Sequence, residues 1–89
     1  MLAVAMFKAM PPRKKRAPEA LAFGEAVRER RKAKGWTQEA LAERAGVAAI
    51  HVGFVERGEN VPKLTMILRI AKALGVRPGE LIDHIKVSR

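Results

Sequence analysis

The chain has 89 residues, enough for one small domain with a modest core. It has no cysteine, which excludes disulfides and thiolate metal sites, and its two histidines, His51 and His84, lie far apart in sequence, so neither a metal, a cofactor nor an enzyme activity is expected. Eighteen Lys and Arg against nine Asp and Glu give a net charge of +9, which points to a polyanionic partner: nucleic acid first, an anionic membrane surface second.

Residues 1–18, MLAVAMFKAMPPRKKRAP, read as a flexible basic arm, because three prolines and the cations Lys8, Arg13, Lys14, Lys15 and Arg16 oppose packing. The opening apolar run is short, its charge follows rather than precedes it, and no amphipathic helix joins the two. Neither a signal peptide nor a membrane association is therefore expected, and the expected location is the cytoplasm.

From Glu19 the apolar spacing turns helical, and residues 19–87 are expected to form the domain. A first helix is predicted from Pro18 or Glu19 to Lys34, with Leu21, Phe23 and Val27 inward, most of RERRK outward and Gly35 as its stop. Thr37 is placed to cap a second helix, whose inner face is Leu41, Ala42 and Ala45 and whose end is Gly46. A third is predicted over roughly Ala48 to Arg57, with Val47, Val52 and Val55 at buried spacing and Gly58 at its exit. The fourth, LTMILRIAKAL, carries Leu64, Ile67, Leu68, Ala71 and Leu74 on one side and ends at Gly75, and Pro78 starts the fifth, PGELIDHI. There is no strand signal and no internal repeat.

Two short helices joined across ERAGVAA, with glycine at the bend, match a helix-turn-helix unit, whose second helix enters the major groove of DNA. With RRKAKGWTQEALAERAGV before it, VERGENVP after it and LRIAKALGVRPGELI beyond, the chain resembles the phage-repressor and Cro type (XRE-like) of bacterial helix-turn-helix transcriptional regulator over about residues 22–82, without an insertion. The resemblance implies an all-α, five-helix lambda-repressor-like DNA-binding domain. It also implies roles. Gln38, beside Thr37 at the start of the second helix, stands where an amide and a helix N-terminus bind a DNA phosphate. Asn60 and Lys63 lie in a loop that follows the DNA backbone, and Glu59 in that loop either points away from the phosphates or weakens binding. Arg31 and Glu56 occupy positions of a partly buried ion pair that orients the third helix, and Trp36 that of a core plug between the first, second and fifth helices.

The departure from the family lies in GVAAIHVGFVERGE. Positions that there carry donors and acceptors for base edges fall here on Ala48, Ala49, Ile50, Gly53 and Phe54, leaving His51 as the polar one. Three readings stay open at this point. The apolar side chains contact thymine methyl groups while phosphates supply most of the affinity; or Ile50 and Phe54, one turn apart, anchor a partner protein; or the helix is misphased and one of them is core.

The expected function is sequence-preferring binding to double-stranded DNA as a homodimeric repressor, with the third helix in the major groove. The cations Arg13, Lys14, Lys15 and Arg16 are expected to act as an electrostatic tether on phosphates rather than as readers. Ile82, Ile85 and Val87, apolar beyond what the core needs, are nominated for the dimer contact. The rival is an antitoxin-like or adaptor module whose third helix holds a protein partner.

Overall fold

In the computed structural model, which describes residues 16–87, five helices follow one another: α1 (Pro18–Ala33), α2 (Gln38–Ala45), α3 (Ala49–Glu56), α4 (Leu64–Leu74) and α5 (Pro78–Ile82). No strand occurs among the described residues. Of the expected arm, only residues 16–18 fall within this range; Arg13, Lys14 and Lys15 lie outside the described residues.

The punctuation follows local chemistry. Thr37 accepts a hydrogen bond at 3.0 Å from the backbone N–H of Ala40, which satisfies one orphan donor of α2. Gly46 ends α2 in the left-handed region at φ 72°, and the N–H of Val47 reaches back 3.0 Å to the carbonyl of Ala42, closing the helix so that the chain can turn into α3 within three residues. Pro18 and Pro78 each open a helix at a position whose N–H would have no partner. At α5 the Glu80 carboxylate accepts from the Arg77 backbone N–H at 2.8 Å.

The core gathers Phe23 and Val27 from α1, Leu41 and Ala42 from α2, Val52 and Val55 from α3, Ile70, Ala71 and Leu74 from α4, and Leu81 from α5. Each of the large aliphatic side chains, withdrawn from water, contributes about 1.5–3 kcal/mol. α3 packs on both α2 and α1, α4 supports α2, and α5 closes against α4 and α1. Trp36 is half-buried against this core, with the guanidinium of Arg44 4.3 Å and the ammonium of Lys34 5.2 Å from its ring.

Two faces differ from expectation. Leu21 is exposed, and Ala20 and Gly24 take the inward places on α1 beside Phe23 and Val27. The cause is a close helix approach: a Cβ at Gly24 would stand 2.1 Å from the carbonyl oxygen of Val55, so α1 meets the end of α3 backbone to backbone at a point where no side chain fits. On α4 the buried positions are Ile70, Ala71 and Leu74, with Ile67 half-buried, whereas Leu64 and Leu68 are 70% and 45% exposed. Residues 64, 67, 68, 71 and 74 make a wide apolar stripe, and the core takes only the side of it that also contains Ile70.

Candidate nucleic-acid interface

The site begins with the clamp that fixes α3. The Arg31 guanidinium on α1 meets the Glu56 carboxylate at the end of α3 through two hydrogen bonds, Nε to Oε2 at 2.6 Å and Nη2 to Oε1 at 3.0 Å. Its Nη1 donates to the carbonyl of Trp36 at 2.7 Å. The two side chains are only 11% and 3% exposed. Hydrogen bonding to Glu56 holds Arg31 protonated even more firmly than an ordinary arginine, and this outweighs the opposing effect of burial. The geometry is that of a planar fork on a carboxylate, which restricts orientation as well as distance.

Gln38 joins the clamp from α2: its side-chain Nε2 donates to Glu56 Oε1 at 3.0 Å. The side chain expected on a phosphate thus has one N–H engaged by protein. Through these contacts α1, α2 and α3 share one carboxylate. Among the described residues no buried side-chain nitrogen or oxygen lacks a hydrogen-bond partner.

The outer face of α3 follows from this anchoring. Ile50 is 61% exposed and His51 and Ala48 are exposed, whereas Ala49 and Phe54 are half-buried. Ile50 is therefore no core residue, and the register of α3 agrees with the predicted one: Val52 and Val55 are the buried side chains. Gly53 requires a correction. It is buried and presents nothing to the outside, because the Arg57 guanidinium and the Gln38 amide lie over it. Ala48 caps α3 without a side-chain hydrogen bond. The phenyl ring of Phe54 lies 6.4 Å from the His51 ring.

Beside this face, a cleft of about 510 Å³ opens between α3 and the loop into α4, with Val55 and Met66 among its walls and His51, Asn60, Lys63 and Arg69 also lining it. Asn60 and Lys63 are exposed on the same side of the molecule as His51. Arg69 donates to the carbonyl of Gly46 at 3.3 Å, tying α4 to the turn before α3.

Glu59 neither points away into solvent nor stands bare. Its carboxylate accepts from Arg57 Nε at 2.5 Å and lies 3.6 Å from Arg16, so two guanidiniums surround it. Arg57 is the residue the sequence reading missed. It lies beyond the end of α3, yet its side chain folds back across Gly53 and over the Phe54 ring, 5.5 Å from the centroid. The signal was present as an arginine four residues after a glycine and three after an aromatic, since a helical side chain points back along its own helix.

Of the nominated dimer residues, Ile82 and Val87 are exposed, but Ile85 is half-buried against the core and is partly spent there. Among the described residues, no group of three or more His, Cys, Asp or Glu is gathered to hold a metal, and no helix is long and apolar enough to cross a membrane.

The family model described as helix-turn-helix matches residues 27–81, more than half of the chain. The chain belongs to this family. It is the phage-repressor and Cro type of DNA-binding regulator that the motifs around α2 and α3 resemble. The control protein C.BamHI of Bacillus amyloliquefaciens is 39% identical over 68 residues, covering 75% of this chain and 84% of that protein. The structure of the restriction-modification controller protein C.AhdI from Aeromonas hydrophila superposes with a TM-score of 0.68 at 45% identity, covering 70% of this chain and 94% of the other. The P22 c2 repressor, solved in complex with a synthetic operator, gives 0.65 at 33% identity, covering 71% and 96%. The five helices of this chain adopt the lambda-repressor-like fold of these two structures.

Proposed function

We propose that this chain represses transcription by binding an operator in double-stranded DNA as a homodimer, with α3 of each protomer in the major groove. The observation that carries the reading is the pinning of α3: its inner side is locked by Arg31, Gln38 and Glu56, which leaves Ile50, His51 and Phe54 as an outward face on a rigid mount. Thymine methyl groups are the base feature that Ile50 and Phe54 are suited to contact. Thr37, Gln38, Asn60, Lys63 and the basic residues Arg13, Lys14, Lys15 and Arg16 supply phosphate contacts, and the net charge of +9 makes that affinity strongly salt-dependent. The solved complex of the P22 c2 repressor with an operator supports the assignment by analogy.

A dimer places two recognition helices about one turn of DNA apart, roughly 34–36 Å. Leu64 and Leu68, exposed along one side of α4, join Ile82 and Val87 as the apolar surface for the second copy. Selection from a random duplex pool with the purified full chain tests the whole reading. It should enrich a two-fold symmetric site, and that site placed across a promoter should lower transcription in the presence of the protein. Recovery of unbiased sequence would contradict operator binding, and an enriched site without symmetry would contradict the dimer.

A further inference from the structure

We infer that Arg57 is the hydrogen-bonding base reader of this protein, that it recognises guanine, and that Gly53, Phe54 and Glu59 hold it in place for that purpose. The inference rests on the reading of α3 as the helix that enters the groove. Its starting point is a deficit: positions 48–50, 53 and 54 offer no side-chain donor or acceptor to a base edge. Arg57 supplies one from outside the helix. Its side chain is 51% exposed, its Nε is held by Glu59, and neither terminal nitrogen has a hydrogen-bond acceptor among the described residues. A guanidinium with Nε fixed and both terminal nitrogens free is a two-pronged donor, the shape that matches O6 and N7 of guanine.

Three neighbours orient it. The Phe54 ring lies beneath the guanidinium at 5.5 Å. Glu59 accepts from Nε and is itself balanced by Arg16, 3.6 Å away, so it orients Arg57 without leaving a bare negative charge beside the DNA. Gly53 leaves the space: a Cβ there would come within 3.0 Å of one terminal nitrogen of Arg57 and 3.6 Å of the other. A phosphate contact would need none of this arrangement, since any mobile cation satisfies it.

The test uses the full chain on the duplex it selects, measured by fluorescence anisotropy beside a random duplex, with melting curves to verify that each variant is folded. Arg57→Ala should weaken the selected site about 10- to 100-fold while changing random duplex little, and Arg57→Lys, which keeps the charge but not the fork, should lose most of the same preference. Replacing one selected guanine by 7-deazaguanine should weaken wild type and leave Arg57→Ala unaffected. Gly53→Ala should reproduce the loss of preference with charge unchanged. Glu59→Gln separates positioning from simple charge, because it should bind random duplex more tightly yet discriminate less. If Arg57→Ala weakens all duplexes equally and lowers the slope of log K against log salt by about one, Arg57 is a phosphate contact and the inference is overturned, with operator binding intact. If wild type selects no site at all, operator binding and the reader fail together.

Discussion

The two faces of α3 are both apolar, but they have opposite fates. Inward, Val52 and Val55 enter the core and Glu56 closes on Arg31, 25 residues away, in a pair that water hardly reaches. Outward, Ile50 stays in solvent, and the corresponding pair, Arg57 with Glu59, spans two residues and leaves its arginine half open to water. The chemistry of the two ion pairs is the same. Burial and sequence separation decide what each does: the distant, buried pair ties elements of the fold together, and the local, open pair orients one side chain on the surface. The spacing of Val52 and Val55 marks the core side of α3, and the clamp at its C-terminal end fixes that side against α1 and α2.

Perturbing the inner face should have the largest consequences. Gly24→Ala puts a Cβ 2.1 Å from a backbone oxygen of α3, which only movement of the helix can relieve, so a loss above about 3 kcal/mol is expected and with it the cooperative melting transition at 37 °C. A normal melting curve would show that α1 and α3 separate cheaply, and the clamp would no longer explain the placement of α3.

Next in size is Arg31→Ala. It leaves Glu56 hydrogen-bonded by the Gln38 amide alone among the described side chains, at a cost of about 3–5 kcal/mol, which for a domain of this size lowers the melting temperature by more than about 10 °C. Arg28, exposed on the same helix, serves as the control: Arg28→Ala should stay within about 0.5 kcal/mol of wild type. Equal melting temperatures for the two variants would erase the distinction between buried and open arginines on which the comparison rests.

A smaller effect on stability, and a large one on assembly, is expected from Leu68→Glu. Leu68 is already 45% exposed in the protomer, so the fold should survive while sedimentation shows monomers. A dimeric Leu68→Glu protein would move the contact between copies to another surface, with Ile82 and Val87 the first place to look.

Much of this organisation is legible in the sequence because caps and breakers are local. Thr37, Gly46, Gly75 and Pro78 mark helix boundaries that the structure reproduces to within a residue or so. Burial on α2 and α3 is legible for a similar reason, since Leu41, Ala42, Val52 and Val55 lie on narrow stripes. α4 is not. Its apolar residues cover more than one face, and choosing Ile70 over Leu68 requires knowing where α2 and α5 lie. The clamp is long-range, so no spacing rule brings position 31 to position 56; only the family resemblance suggested it. Arg57, at the end of the predicted third helix, is not among the family's base-reading positions, and that its side chain folds back over Gly53 is visible only in three dimensions.

The central claim is that the outward face of α3 reads DNA. Exchanging thymine for uracil in the selected duplex tests it most directly, since this removes only methyl groups and leaves the protein untouched. Anisotropy titrations of wild type should show a loss of about 0.8 kcal/mol, or about fourfold in affinity, for each methyl group buried against Ile50 or Phe54, and Ile50→Ala should no longer notice the exchange at its own thymine. An affinity unchanged at every selected thymine would contradict apolar readout and turn the Ile50 face back into a surface for a protein partner.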